Sequence, residues 1–202
     1  MAGASNRSRR RGRTRAERLS RADWAEAALT ALLREGVSGI NVQRLARGLK
    51  VARASFYWHF RDQDELLQEA LALWERRATL DYIARLERIA EPRARLRTLV
   101  REAFAHAGAG RDFVALAAAV EQHPAVAEAM ARALSARFAF LCRTYREIGL
   151  AAAEARHRAA LANEAYVGLW QSRRVLPEGF EAGGRPVGLA AHLRFLERHL
   201  VP

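Results

Sequence analysis

Hydrophobic positions recur with helical spacing over most of the chain, beginning with the segment SRADWAEAALTALLREG. Ser20 and Asp23 have the spacing of a capping box, and Gly36 is a typical end signal. A stripe three and four residues apart is typical of a helix with one buried face. Here the stripe consists of Trp24, Ala27, Ala28, Ala31 and Leu32. We therefore predict a first helix between Ser20 and Gly36.

Three more helices are predicted before residue 90. Asn41 can cap the second, and Ile40 before the cap can pack against Leu45 as a hydrophobic staple. After a short break, a third helix covers about 53–59. Asp62, with a glutamate three residues on, caps the fourth, which continues to about residue 89.

Helical periodicity continues to the C-terminus. Pro92 and Pro124 open two helices, and two others cover about 111–122 and 154–174. A loop rich in Gly and Pro, residues 176–188, precedes the last helix. Its apolar face is formed by Leu189, Leu193, Leu196 and Leu200. The pattern predicts an all-α chain of nine helices with no strand.

The charge of the chain changes this picture at its N-terminus. Residues 1–62 carry 14 basic and 5 acidic groups, whereas 63–202 carry 20 and 17. Such a concentration attracts a polyanion, either nucleic acid or an anionic membrane, although a solvated tail without a partner is the alternative. Seven arginines lie within residues 1–19, which we expect to be a disordered arm. The arm either follows the minor groove of DNA or is a leader without a role.

Cysteine content and hydropathy bear on the compartment. The single cysteine, Cys142, cannot form an internal disulfide, which favours a reducing compartment. No apolar run has the length of a membrane helix, and the N-terminus lacks the apolar core of a signal peptide. We expect a cytoplasmic protein without a membrane partner.

The segment INVQRLARGLKVARASFYWHF has more aromatic surface than it could bury alone. Two short helices joined by a tight turn are typical of a helix-turn-helix. Val51, Phe56 and Phe60 can face inward from the third helix. The outward positions are then Arg53, Ala54, Ser55, Tyr57 and His59, which leaves a slim helix able to enter the major groove.

With the residues that follow, INVQRLARGLKVARASFYWHFRDQDELL resembles the DNA-binding segment of the tetracycline-repressor (TetR) family, over about residues 20–71. The resemblance implies that Gln43 and Arg44 touch DNA from the second helix. It implies base contacts from Arg53, Ala54 and Ser55, and phosphate contacts from Tyr57 and His59. Phe56, Trp58 and Phe60 would support the head, with Trp58 packed against the fourth helix.

The start of the fourth helix, residues 61–64, would direct amide groups at a phosphate. Arg61 and Gln63 are therefore counted among the DNA-binding positions. The chain departs from the family pattern at three places: Lys50 stands where glycine is usual in the turn, Ala52 replaces a serine-like cap, and Gln63 replaces a common lysine. Lys50 is expected in a left-handed conformation, at a cost of about 1 kcal/mol.

The resemblance also implies a two-domain architecture: the arm 1–19, a three-helix head 20–62, and a helical ligand-binding and dimerisation domain 63–202. The ligand candidates share an apolar or aromatic character, with a few polar groups among them. They are Trp74, Phe104, Phe113, Arg137, Phe138, Cys142, Tyr145, Glu164, Tyr166 and Trp170. The alternative is that these side chains are ordinary core.

The homodimer interface is expected on the last two helices, about 154–174 and 187–200. Ala159, Ala162, Ala165 and Gly168 form a small-residue face there, and the leucines of 189–200 add apolar area. The alternative is that both helices close the core of the monomer. His192 and His199 are seven residues apart without a third ligand, so no metal or other cofactor is predicted.

These observations favour a homodimeric repressor that binds operator DNA and releases it when an apolar or amphipathic small molecule binds. An enzyme with a DNA-binding head is disfavoured, because the chain has no glycine-rich phosphate loop, metal-ligand spacing or nucleophile elbow. A non-specific nucleic-acid protein, suggested by the net charge of +12, would bind unrelated DNA equally well.

Overall fold

The computed structural model describes residues 19–105, 107–182 and 184–202. Nearly the whole predicted arm therefore lies outside the described residues. The elements in chain order are α1 (Arg21–Glu35), a 3₁₀ turn (Val37–Gly39), α2 (Val42–Leu49), a 3₁₀ helix called the recognition helix (Arg53–Trp58), α3 (Gln63–Glu75), a π-helical segment (Arg76–Leu80), α4 (Asp81–Leu86), α5 (Pro92–Ala105), α6 (Ala107–Ala117), α7 (Pro124–Glu147), α8 (Ala152–Val175), β1 (Glu181–Ala182), β2 (Arg185–Pro186) and α9 (Leu189–Leu200).

The predicted all-α, two-domain architecture is confirmed, with one local exception. The predicted loop rich in Gly and Pro contains a two-stranded antiparallel ladder, in which Ala182 pairs with Arg185. Gly184 has a φ of 75°, a left-handed conformation that glycine adopts without strain. The prediction of no strand was wrong for these four residues, because strands of two residues are too short to show alternation.

Three helices differ from their predicted form. The third is a 3₁₀ helix, and the fourth contains the π-helical segment between α3 and α4. Helix α6 begins at residue 107, before the predicted start at 111. Within α6, a Cβ on Gly110 would come within 2.0 Å of the Trp170 ring, so this glycine allows α6 and α8 to approach closely.

Two clusters of buried side chains hold the chain together. The first contains the core of the head together with Phe113, Leu116 and neighbouring residues of α7. The second joins α5, α7, α8 and α9, and Tyr145 is fully buried within it. Because the first cluster crosses the predicted boundary at residue 62, the head packs directly on α6 and α7.

Candidate DNA-binding head and ligand cavity

Aromatic rings anchor the recognition helix to α1. Phe56 and Phe60 are buried, as is Trp24 on α1. The Phe56 ring lies 5.4 Å from the Trp24 ring, edge to face, and 5.5 Å from the Phe60 ring. Val51 is half-buried against the same cluster. The recognition helix therefore presents its remaining side chains outward from a fixed base.

The outward face of the recognition helix carries the predicted reading residues. Arg53, Ala54 and Tyr57 are exposed, whereas Ser55 and His59 are half-buried. Arg53 Nη2 donates a hydrogen bond to the Tyr57 hydroxyl at 3.2 Å. The structure thus brings together a guanidinium and a phenol on an open surface, both of which can donate to DNA phosphates or base edges.

The two predicted DNA-binding residues of α2 differ: the Gln43 side chain is exposed to solvent, whereas the Arg44 side chain bonds to other residues of the head. Arg44 Nη1 pairs with Glu35 at 2.5 Å, and Nη2 donates to the carbonyl of Gly39 at 2.5 Å. A DNA contact by the Arg44 side chain would have to replace these bonds, so Arg44 also fixes α2 to the end of α1.

Trp58 does not pack against α3, and that prediction was wrong. Its side chain is 84% exposed. A 3₁₀ helix has three residues per turn, so the position two residues after the buried Phe56 turns away from the core. Together with the exposed Tyr57, Trp58 forms an aromatic surface at the end of the recognition helix.

The turn before the recognition helix has the predicted conformation. Lys50 adopts φ 60° and ψ 45°, which confirms the left-handed conformation expected where glycine is usual. Ala52 precedes the recognition helix without a side-chain capping bond. A left-handed lysine and a missing cap both cost stability in general, whereas burial of Phe56 after this turn stabilises the same segment.

Arg21 organises the far side of the head, a role the sequence did not reveal. Its Nη1 donates to the carbonyl of His59 at 2.5 Å, and its guanidinium pairs with Glu65 and Glu69 on α3, each at 3.0 Å. The guanidinium also lies 4.2 Å above the Phe60 ring. These five residues, the Arg21 cluster, tie α1, α3 and the end of the recognition helix together.

Glu65 occupies hydrogen-bond donors at the start of α3 that were expected to bind a DNA phosphate. Its carboxylate accepts from the Arg61 backbone amide at 2.8 Å and from Arg61 Nε at 3.2 Å. These bonds, with those from Arg21, lower the pKa of Glu65 to about 2. Because Asp62 also caps the Glu65 amide, two amides in this turn are already bonded. The exposed Gln63 begins α3 beside them.

A cavity of about 720 Å³ lies between the head and the second domain. Its walls come from α1 of the head, from α3 to α7, and from α8. Four of the predicted ligand residues line it: Trp74, Phe104, Arg137 and Tyr166. The sequence did not indicate that α1 contributes to the wall through Glu26, Leu29, Thr30 and Leu33.

The other predicted ligand residues lie outside this cavity lining. Phe113, Tyr145 and Trp170 are buried in the cores, and Tyr145 donates a hydrogen bond to the carbonyl of Leu200 at 2.7 Å. Burial raises the pKa of Tyr145 to about 12. Phe138 and Cys142 are half-buried, and Glu164 is exposed. Helical spacing alone could not separate core positions from cavity positions.

Arg137 is the most enclosed cation of the cavity wall. Its Nε donates to Thr79 Oγ1 at 3.1 Å, and Nη2 donates to the carbonyl of Ala78 at 3.2 Å, both in the π-helical segment. The guanidinium also lies 5.8 Å from the Phe113 ring and 5.6 Å from the Tyr166 ring. Burial lowers the pKa of Arg137, yet an arginine remains charged at neutral pH.

Two ion pairs flank the cavity. Glu26 of α1 pairs with Arg77 of the π-helical segment, and Arg85 pairs with Glu102. Asp112 also lines the cavity, and its burial raises its pKa. The Glu26–Arg77 pair joins the head directly to the segment that carries Thr79.

Comparison with known proteins agrees with this geometry. Residues 25–70 match the family model described as bacterial regulatory proteins, tetR family. The head of this chain is therefore similar to the DNA-binding segment of TetR-family regulators. No curated protein matches the chain in sequence. The matched residues contain most of α1, all of α2 and the recognition helix, and the first part of α3.

Solved structures extend the likeness to the whole TetR fold. A transcriptional regulator from Rhodococcus sp. Rha1 is 22% identical, covers 91% of this chain and 96% of its own, and has a TM-score of 0.69. A regulator from Pseudomonas aeruginosa PAO1 is 20% identical, with 93% of each chain covered and a TM-score of 0.68. One from Saccharomonospora viridis, solved in complex with choline, is 21% identical over 89% of this chain and 92% of its own, with a TM-score of 0.64.

The last two helices turn their predicted interface faces inward. Ala159, Ala162, Leu196 and Leu200 are buried in the second core, and Ala165 and Leu193 pack partly against it. The predicted small-residue and leucine faces therefore close the monomer, and only Gly168 of the small-residue face is exposed. The exposed apolar side chains of α8 and α9 are instead Leu161, Val175 and Phe195.

Phe195 stacks on His199 with ring centroids 3.9 Å apart, and on His192 at 6.4 Å. In the part of the chain that the structure describes, no His, Cys, Asp and Glu side chains gather as a metal site would require. Nor is any helix of those residues long and apolar enough to cross a membrane.

Proposed function

We propose that the chain is a homodimeric, sequence-specific transcriptional repressor that leaves its operator when an apolar or amphipathic small molecule fills the cavity. The observation that carries this proposal is the shared wall of the cavity. Leu29, Thr30 and Leu33 on α1 face the same space as Arg137 and Tyr166 of the second domain. A ligand in this space contacts the element on which the recognition helix is anchored.

Coupling requires that the ligand bind one arrangement of the heads better than another. The Glu26–Arg77 pair and the bonds from Arg137 to the π-helical segment both reach the end of α3. Since π-helical turns often occur at functional sites, we propose this segment as the place where α3 changes direction. The choline complex of the Saccharomonospora viridis regulator supports small-molecule binding in a chain of this fold.

DNA binding uses the outward face of the head in this proposal. Arg53, Ala54 and Ser55 read bases, while Tyr57 and His59 bind phosphates, together with Gln43, Arg44, Arg61 and Gln63 around them. One short helix offers few base contacts, so a two-fold dimer reading two half-sites about 34–36 Å apart supplies the rest. Selection of bound DNA from a random library should return a palindrome with half-sites about one turn apart. Retention of DNA without any motif would instead favour the non-specific protein.

The dimer forms through the outward sides of α8 and α9, where Leu161 and Phe195 are exposed. Phe195→Glu places a charge in this surface and should convert the dimer to monomer in light scattering. Leu80→Glu is the matched control, because Leu80 is similarly exposed on the π-helical segment. Dissociation by both variants, or by neither, contradicts this choice of interface.

The arginine arm adds phosphate contacts in this proposal. Deletion of residues 1–18 should weaken DNA binding and flatten the salt dependence, because each neutralised phosphate contributes about 0.9 to the logarithmic slope. An unchanged slope would identify the arm as a leader without a role in binding. The folded head and cavity are the same in both proteins, so ligand binding serves as the control.

A further inference from the structure

We infer that the cavity selects ligands with an apolar body and a carboxylate, and that Arg137 receives the carboxylate. This inference rests on the proposed function, because it names the class of ligand that the same cavity takes. It starts from a difference between Arg137 and two other arginines, Arg95 and Arg21.

Two other arginines that pack against the cores, Arg95 and Arg21, have carboxylate partners. Arg95 is buried and pairs with Glu147 at 2.6 Å. Arg21 pairs with two glutamates in the head. Arg137 forms no ion pair with any carboxylate in the described part of the chain, and its hydrogen-bond partners are the neutral oxygens of Thr79, Ala78 and Tyr166. A charge removed from water without a counter-charge is costly, so an anion from outside would be stabilised here.

The guanidinium also has donors to spare. Arginine has five N–H groups in a planar fork. The bonds to Thr79 and Ala78 use one N–H of Nε and one of Nη2, and the Tyr166 hydroxyl is a third partner, so two N–H groups remain for a ligand. Two N–H groups of a planar guanidinium match the two oxygens of a carboxylate. An anion can therefore bind without removing Arg137 from the π-helical segment.

The other charged side chains of the cavity wall favour a cationic ligand less than Arg137 favours an anionic one. The cations Arg77 and Arg85 are already neutralised by Glu26 and Glu102. Asp112 is the remaining anionic group of the wall, and it is the feature that a cationic ligand would use. Burial raises the pKa of Asp112 and therefore disfavours its charged form. We therefore expect Arg137 to decide which ligand charge the cavity prefers.

The remaining wall accepts an apolar body. Trp74, Ile83, Leu99, Phe104 and Phe140 supply hydrophobic surface. The volume of about 720 Å³ lies within the usual range for small-molecule sites, roughly 300–1,000 Å³. A chain of about ten carbons with a terminal carboxylate fits both features.

Calorimetric titration of the full chain with three ten-carbon probes tests the inference: n-decanoate, n-decanol and decyltrimethylammonium, all below their micelle concentrations. A hydrogen-bonded charge pair should make decanoate bind about tenfold or more tightly than decanol. Equal affinity for decanol, tighter binding of the ammonium, or binding of none of the three would overturn the inference.

Substitutions at Arg137 then test whether this residue causes the preference for decanoate over decanol. Arg137→Gln should reduce decanoate affinity to that of decanol, whereas Arg137→Lys should keep part of the preference because the charge remains. Arg146→Gln on the exposed side of α7 is the matched control and should change nothing. A retained preference in folded Arg137→Gln, checked by circular dichroism, would overturn the assignment.

Operator release is measured separately, by fluorescence polarisation of labelled DNA. Decanoate that binds through Arg137 without releasing DNA would leave the ligand class intact and contradict the proposed release mechanism. Release by decanol and decanoate at equal concentrations would support release while contradicting carboxylate selection. The two proposals can therefore fail independently.

Discussion

The head and the cavity domain place similar side chains in opposite settings. In the head, Trp24, Phe56 and Phe60 fill the space between helices, and Arg21 is paired with glutamates. In the second domain, Phe104 and Tyr166 stand on the wall of an open cavity, where Arg137 lacks a carboxylate partner among the described residues. The filled core and paired charges of the head favour a single packing arrangement. The cavity of the second domain can instead accept a ligand, which could stabilise one arrangement of the helices over another.

Removal of a large side chain should give the largest difference in lost stability between the head and the cavity wall. Phe56→Ala in the head should lower the free energy of unfolding by about 3–5 kcal/mol, because it opens a new void in a filled core. Leu99→Ala widens a space that already exists and should cost less than about 2 kcal/mol. Urea unfolding measures both values. Equal losses would mean that the cavity wall is packed as tightly as the head.

Addition of volume is the reciprocal test. Ala28→Leu should destabilise the buried centre of the head by about 1–3 kcal/mol, because nothing there can move aside. Ala103→Leu projects into the cavity and should leave stability within about 1 kcal/mol. It should also weaken decanoate binding by taking up space. A large loss of stability in Ala103→Leu would show that the cavity does not exist in solution.

Acid should affect the Arg21 cluster and leave Arg137 unaffected. The folded pKa of Glu65 is about 2, below its ordinary value of 4.5. Its contribution to stability is therefore present above about pH 4.5 and is lost as the pH falls towards 2. The difference in melting temperature between wild type and Glu65→Gln should shrink over this window. The difference for Arg137→Gln, the control, should stay constant, since Arg137 has no such carboxylate partner.

The smallest expected effect concerns the ion pair between the two regions. Glu26→Gln breaks a half-exposed pair with Arg77 and should cost less than about 1 kcal/mol in urea unfolding. It should nevertheless raise the decanoate concentration that releases DNA, because the pair joins α1 to the π-helical segment. Glu87→Gln, which breaks a comparably exposed pair with Arg143, is the control and should leave release unchanged. A normal response of Glu26→Gln would remove this pair from the coupling route.

Local sequence signals predicted most of the fold and part of the site. The capping box of Ser20 and the Asn41 cap are present, because a cap involves residues three positions apart. The left-handed Lys50 was identified from its position in the turn. Burial of Phe56 and Phe60 followed from the spacing of the recognition helix. These features depend on neighbours in the chain, which the sequence contains directly.

The cavity, the Arg21 cluster and the surfaces of α8 and α9 could not be obtained in this way. Arg21 meets Glu65, and Arg137 meets Thr79, across 44 and 58 residues. Trp58 faces outward because its segment is a 3₁₀ helix, which the sequence pattern did not distinguish from an α-helix. Ala159 faces inward because of the rotation of α8 against its neighbours, which helical spacing leaves undetermined. The sequence by itself determined most helices, their ends and the outward face of the recognition helix, since these follow from short-range periodicity and capping. Only the tertiary structure decided which apolar faces close the core, which line the cavity, and which charged groups remain without a partner there, since each depends on distances between helices remote in sequence.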